Sequence, residues 1–194
     1  MSVAAVVLAA GASSRLGQPK QLLVDMYGEV LVHKVAGDAL GAGCRPVCVV
    51  VGANASRVGA AVADLEVLVV ENPHWSEGLS TSIRCGVAAV AESGCEGVLL
   101  LTCDMPSVGS AHIQLLMNEF NGASPHVASS YGDTWGIPAI FPAADFMALE
   151  ALQGDKGAKA ILMARNALLI PLEGGTFDLD TPEDVANWRS TSWR

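Results

Sequence analysis

Leu8-Ala9-Ala10-Gly11-Ala12-Ser13-Ser14-Arg15-Leu16-Gly17-Gln18-Pro19-Lys20-Gln21-Leu22-Leu23 joins an apolar run, Val3 to Ala10, to a glycine-punctuated loop that carries two cations. Gly11 and Gly17 let the backbone approach a ligand or take positive φ, and the small residues between them leave amides free to donate to anionic oxygens. Arg15 and Lys20 add full charges to that cradle. The pattern predicts a polyphosphate site, and the paired cations suit a triphosphate that is bound and then broken. It is not a Walker A loop, because five residues separate Gly11 from Gly17 and Gln18 stands where the lysine would follow. The G-x-G-x-x-G fingerprint is also missing, which disfavours a nicotinamide-dependent oxidoreductase.

Working outward, continuous apolar runs recur at Val3 to Leu8, Val47 to Val51, Val67 to Val70 and Val98 to Leu101. Such runs predict strands buried on both faces, as in a parallel sheet covered by helices. Between them, Leu31, Val35 and Ala39, then Val58, Val62 and Leu65, then Leu79, Ile83, Val87 and Val90 repeat with helical period. The alternation predicts an open, mostly parallel α/β sheet with helices on both faces. Beyond Ser124 the pattern predicts shorter strands at His126 to Ser130, Pro138 to Phe141 and Leu168 to Leu172. Helices are expected near Ala143 to Leu152, Ala158 to Asn166 and Pro182 to Trp188. With 194 residues, half of them hydrophobic, and no long linker, residues 1–194 are expected to form one domain in one mixed sheet.

Charge and cysteine usage narrow the function classes. A net charge of −9 argues against a nucleic-acid partner, and no apolar run approaches the roughly 20 residues that cross a bilayer. Val3 to Ala10 has no basic stretch ahead of it and leads straight into the phosphate loop, so it is expected to be structural rather than a cleaved leader. Cys44, Cys48, Cys85, Cys95 and Cys103 are odd in number and contain no C-x-x-C pair. Buried reduced thiols and a cytoplasmic setting are expected. Between Arg57 and Lys156 the only basic residue is Arg84, so an anionic ligand is confined to Arg15, Lys20, Arg84 or the Lys156, Lys159 and Arg165 group.

Ligands of open α/β sheets bind outside the carboxyl ends of the strands. The phosphate loop follows the first strand and Asp104 follows the run ending at Cys103, so both are expected on one edge. Asp104 precedes Met105 and Pro106, and serves either as a turn residue or as a magnesium ligand, since Mg²⁺ takes one or two carboxylates plus phosphate oxygens and water. A second carboxylate comes from Asp178 or Asp180, just ahead of a helix start with Thr181 at its cap and Pro182 first inside. Ser80, Thr81 and Ser82 crowd another first turn, where hydroxyls and unpaired amides bind polar edges. No histidine has ligand spacing or a nucleophile beside it, and none is assigned to catalysis.

The loop resembles the signature of the nucleoside triphosphate transferases of molybdenum cofactor biosynthesis, usually written L-A-[AG]-G-x-S-x-R-[ML]-G-x-x-K. Glu71 to Arg84, with its Asn72-Pro73-His74-Trp75-Ser76-Glu77-Gly78-Leu79-Ser80-Thr81-Ser82-Ile83 core, is similar to the cytidylyltransferase branch. Cys103-Asp104-Met105-Pro106, Gly136 to Phe141, Gly154 to Ala158 and Asp178 to Asp184 follow in the family's order. The resemblance implies transfer of CMP from CTP to the phosphate of molybdopterin, with release of pyrophosphate and with magnesium as cofactor. It implies Arg15, Lys20 and Asp104 as catalytic residues and Asp104 with Asp180 as metal ligands. Leu8, Ala9, Ala10, Gly11, Ser80 and Ser82 are implied at the nucleotide, and Lys156, Gly136 and Pro138 at the acceptor. A molybdoenzyme or its chaperone is the implied recipient of the product. Met105 stands where this branch often has glutamine, which bears on base and acceptor choice. The alternatives are guanylyl transfer, another small phosphorylated acceptor, or a nucleotide-binding chaperone without turnover.

Overall fold

The computed structural model describes residues 2–120, 126–155 and 157–190. Its seven strands are β1 (Val3–Ala9), β2 (Val47–Val51), β3 (Leu68–Glu71), β4 (Gly97–Thr102), β5 (Val127–Tyr131), β6 (Thr134–Pro142) and β7 (Leu168–Pro171). They form one sheet in the order β3-β2-β1-β4-β6-β5-β7. All neighbours are parallel except β6, which runs antiparallel to both β4 and β5. The helices are α1 (Leu31–Gly41), α2 (Ala55–Ala60), α3 (Leu79–Ala91), α4 (Ser110–Glu119), α5 (Phe146–Glu150), α6 (Lys159–Ala164) and α7 (Pro182–Ser190).

Alternation along β1 divides the core into two layers. Val3, Ala5, Val7 and Ala9 pack with Val32, Val35, Ala36 and Ala39 of α1 and with Ile113 and Leu116 of α4. Ala4, Val6, Leu8 and Ala10 pack on the opposite face with Ile83, Val87 and Val90 of α3, Leu149 of α5 and Leu162 of α6. A third cluster, Leu16, Leu23, Leu31, Leu179, Val185 and Trp188, fastens the loop after β1 to α7.

The expected fold class is the observed one, with two local differences. The run Val67 to Val70, expected to be buried on both faces, lies in β3, where Leu68 and Val69 are exposed. β3 and β7 are the two edges of the sheet, so each lacks a covering neighbour on one side. α4 was not anticipated, although Ile113, Leu116 and Phe120 give it a buried stripe at helical spacing.

Gly86 measures how closely α3 lies on the sheet. A Cβ there would stand 2.3 Å from Val6 Cγ1 and 2.9 Å from Val50 Cγ2. Gly86→Ala is therefore expected to destabilise by about 2 kcal/mol, the overpacking cost exceeding the gain in helix propensity. Calorimetry should find Tm lower by roughly 4–8 °C; an unchanged Tm would contradict this packing.

From β1 the chain builds outward through β2 to β3, then α3 carries it back to β4 on the other side of β1. Connections thus diverge between β1 and β4, where Leu8 pairs with Thr102. Such a switch point opens a crevice at the carboxyl ends of its two strands.

Candidate functional site

The crevice between β1 and β4 receives the two segments expected there. After Ala9 the chain forms the loop from Ala10 to Pro19 and then a short 3-10 turn, Lys20–Leu22. Ser13 adopts a left-handed conformation, φ 54°, and its carbonyl accepts from the amides of Leu16 and Gly17 at 3.1 and 3.2 Å. Gly17 supplies the other left-handed position, φ 73°. The Ser13 hydroxyl accepts from the Lys20 amide at 3.1 Å, which ties the first half of the loop to the residue that closes it. Gly11 is exposed, and a Cβ on it would meet nothing within 4 Å, so that side of the loop is open to a ligand.

Lys20 is the centre of the arrangement. Its ammonium donates to Asp104 Oδ2 at 2.8 Å and to Asp180 Oδ1 at 3.1 Å. Arg15 Nη2 lies 2.8 Å from the other oxygen of Asp180. Asp180 reaches the group through Leu179, whose amide donates to the Asp104 carbonyl at 2.9 Å and whose side chain is fully buried. The helix start that follows forms as expected. The Asp184 amide donates to the Thr181 hydroxyl at 3.2 Å, and the Thr181 amide donates back to Asp184 Oδ2 at 2.8 Å.

The electrostatics follow from burial and pairing. Burial works against the charged form of Lys20, but Asp104 and Asp180 outweigh it and hold the ammonium above the ordinary lysine range. Burial likewise opposes the charged form of Asp104. The Lys20 ammonium beside it prevails, with help from Thr102, and holds its carboxyl below the usual range. Asp178 goes the other way, pushed up to about 6 by partial burial and then by the charges of Asp104 and Asp180. Ser13, Ser14, Arg15, Leu16, Lys20, Leu179 and Asp180 line a cavity of about 180 Å³. That is below the roughly 300–1,000 Å³ of small-molecule sites, so it suits part of a nucleotide rather than a whole one.

The hydroxyl-rich turn is held firmly. Ser80, Thr81 and Ser82 are all buried at the start of α3. Asn72 Nδ2 donates to Thr81 Oγ1 at 2.8 Å and to Ser82 Oγ at 3.1 Å, while the one O–H of Thr81 has the carbonyls of Gly78 and His74 within reach at 2.9 and 3.0 Å. Ser80 Oγ is buried with no hydrogen-bond partner. The Ser80 amide donates to the Gly154 carbonyl at 3.2 Å, and a Cβ on Gly78 would fall 2.6 Å from Asp155 Oδ1. The segment expected at the nucleotide base therefore abuts the segment expected at the acceptor. Lys156 lies outside the described residues.

Gly136 and Pro138 reach the same edge by a different route. β6 is antiparallel to β4, with Leu100 opposite Ala139, so the residues just before Ala139 flank the carboxyl end of β4. On the first crossover, Ala10 is pinned through its carbonyl, which accepts from the Ala53 amide at 3.0 Å. Trp75 packs closely over Gly52 beside it.

Three residues near this group were not singled out by the sequence, two of them acting as clamps. Gln21 is 2% exposed and its Nε2 donates to the Gly11 carbonyl at 2.8 Å, so a buried amide fixes the loop after β1. Asn72 orders the hydroxyl turn. Tyr131, whose hydroxyl donates to the Ile137 carbonyl at 3.2 Å, has its phenol pushed up by burial and by Asp178 and Asp104. Asn72 stands in the quoted Glu71-Asn72-Pro73 stretch and Gln21 in the quoted loop, but an amide side chain has no pattern that distinguishes clamp from surface.

Other expected features lie elsewhere. All five cysteines are free, and burial pushes the thiols of Cys44 and Cys48 up to about 12. His112 pairs with Ser129 at 2.7 Å and His126 with Asp145, both inside the core. Lys159 donates to Thr134 Oγ1 and sits over the Trp135 ring. Among the described residues no helix is long and apolar enough to cross a membrane.

Known proteins share the sequence pattern and the fold of this chain. A family model described as the MobA-like NTP transferase domain matches residues 5–168. The chain is 32% identical over 191 residues to the nicotine blue oxidoreductase of Paenarthrobacter nicotinovorans, covering 94% of this chain and 91% of that one. It is 31% identical over 148 residues to the molybdenum cofactor guanylyltransferase of Acidiphilium cryptum, covering 75% and 70% respectively. Among solved structures it resembles Rv0371c of Mycobacterium tuberculosis, with TM-score 0.82 and 29% identity over 99% of this chain and 100% of that one. A manganese complex of Rv0371c matches with TM-score 0.78 and 28% identity over 99% and 100%.

Proposed function

This chain belongs to the MobA-like NTP transferase domain family, and from that premise we propose that it transfers CMP from CTP to the phosphate of molybdopterin, releasing pyrophosphate. The observation that carries the reading is the Lys20 ammonium shared by Asp104 and Asp180 at the β1–β4 switch point, with Arg15 on the far oxygen of Asp180. Two cations for a leaving pyrophosphate and two carboxylates for a metal ion stand within one crevice.

Asp104 and Asp180 suit a divalent ion, because they already bracket one cation and are hard oxygen donors of the kind magnesium takes beside phosphate oxygens and water. When bound, such an ion neutralises charge across the phosphates. The residues do the rest. The loop from Ala10 to Gly17 orients the triphosphate through its open amides, while Arg15 and Lys20 stabilise the charge that gathers on the leaving group. No base is needed, since a phosphate monoester with its second pKa near 6 is mostly dianionic at neutral pH. Catalysis then rests on alignment and neutralisation, and the histidines stay in the core or at the surface.

The choice of CTP is supported by Ala10, where guanylyl-transferring relatives usually carry glycine, and by the turn at Ser80 to Ser82. The Ser82 hydroxyl accepts from Asn72 and keeps its own O–H to donate to a pyrimidine edge. The relative named molybdenum cofactor guanylyltransferase favours guanylyl transfer instead, and the relative named nicotine blue oxidoreductase favours an oxidoreductase. A competition of CTP against GTP with molybdopterin, products identified by mass, separates the bases. The cytosine dinucleotide is expected to dominate, and Ser82→Ala to erode that preference about tenfold, since a buried polar pocket rejects the mismatched base. Equal or greater product from GTP, with no change in Ser82→Ala, would contradict both the base and the role of Ser82.

A further inference from the structure

At the crevice two cations and two carboxylates pair off, with Asp178 beside them as a further carboxylate. Lys20 lies 2.8 Å from Asp104 and 3.1 Å from Asp180, Arg15 lies 2.8 Å from Asp180, and each carboxylate thereby commits an oxygen to a protein cation. Building on the nucleotidyltransferase reading above, we propose that Lys20 is a resident counter-ion that blocks the divalent-cation site until a triphosphate draws its ammonium away.

Three observations support the exchange. The backbone of Lys20 is fixed, by its amide on Ser13 Oγ and by the turn that places buried Gln21 against Gly11, so displacement falls on the side chain. That side chain is a point charge on a flexible four-carbon stem, able to change partners without moving the loop. Its destination is close, because Lys20 and Arg15 line the same small cavity as Ser13 and Ser14. Arg15 is mostly exposed and bound at one contact, so it adds little to keep the arrangement closed.

The charge balance gives the arrangement its selectivity. A divalent ion arriving alone must expel Lys20 into water with no new anion to receive it. A metal-free triphosphate that attracts Lys20 and Arg15 leaves Asp104 and Asp180 facing phosphate oxygens. The metal–triphosphate complex replaces both partners together, giving each cation an anion and each carboxylate a cation. Metal and triphosphate therefore bind with positive coupling, for which factors of about 5–150 are usual, and each raises the affinity of the other equally.

The test measures metal binding without turnover. Chelator-treated protein is titrated with Mn²⁺ in the absence of nucleotide, and free Mn²⁺ is read by electron paramagnetic resonance. Lys20→Met, which keeps the stem and removes the charge, is expected to bind Mn²⁺ about tenfold tighter than the unmodified chain, within the usual coupling range. Adding Asp104→Asn to that variant is expected to abolish the gain. Equal or weaker binding by Lys20→Met overturns the proposal. A second measurement uses the unmodified chain: trace acetylation of Lys20, mapped by mass spectrometry, is expected to rise several-fold as Mn²⁺ saturates the protein. Unchanged labelling at saturation also overturns it. Neither readout involves a nucleotide or molybdopterin, so a failure of the substrate assignment leaves these results standing, and their failure leaves the transfer assay to be judged alone.

Discussion

Asp104→Asn is expected to lower the rate of nucleotidyl transfer about a thousandfold, equivalent to roughly 4 kcal/mol of lost transition-state stabilisation. The reason is placement. Asp104 follows the end of β4 by two residues at the switch point, and its carboxylate meets the Lys20 ammonium that Asp180 shares. The amide keeps the size of the side chain but loses the charge that would help hold a divalent cation. Stability should change little, because Lys20 retains Asp180 as partner and the Leu179 amide bonds the backbone carbonyl of Asp104, which the substitution preserves. A variant that folds, melts near the unmodified protein and turns over near its rate would remove Asp104 from the chemistry.

Lys20→Ala is expected to slow the single-turnover rate by roughly a hundredfold to a thousandfold, the loss usual for one preorganised group at a developing charge. Acceptor KM should move far less, because the proposed mechanism sets the cation on the triphosphate side. Arg15→Ala should show the same sign with a smaller size, since Arg15 is mostly exposed and makes a single contact in the resting site. Lys20 thereby yields two separable signatures: removing its charge should slow chemistry and tighten metal binding. Unchanged single-turnover rates in both variants would return the loop to a purely structural turn.

Much of this arrangement could be read from the chain because its determinants are local. The valine and leucine runs at Val47 to Val51 and Val98 to Leu101 are central strands, and a central strand must be apolar on both faces, so run and position coincide. The glycine loop and Asp104 each follow such a run, and the rule for open sheets then places them on one edge. What the chain concealed depends on tertiary context. Leu68 and Leu168 sit in apolar runs like those of the centre, yet each lies on an edge strand, and edge position is set by strand order rather than composition. α4 carries polar His112 on its buried side, where it pairs with Ser129, so its apolar stripe is interrupted where the sequence would advertise it.

Within the site, the convergence of Lys20 on Asp104 and Asp180 spans 84 and 160 residues of separation, which no local pattern encodes. Each residue was conspicuous singly. Their convergence depends on Leu179, buried among Leu16, Leu23 and Leu31, which draws its flanking aspartates to the loop after β1. Gln21 gives the opposite lesson, a buried clamp whose residue type announces nothing.

The central claim is that this crevice transfers a nucleotide rather than only binding one or moving electrons. Its most direct test is incubation of the purified chain with magnesium, molybdopterin and each of CTP, GTP, ATP and UTP in turn, measuring pyrophosphate and identifying the organic product by mass. The account predicts pyrophosphate in one-to-one ratio with a molybdopterin dinucleotide, greatest with CTP and lost in Asp104→Asn. No pyrophosphate from any triphosphate, with bound nucleotide recovered intact, would contradict it.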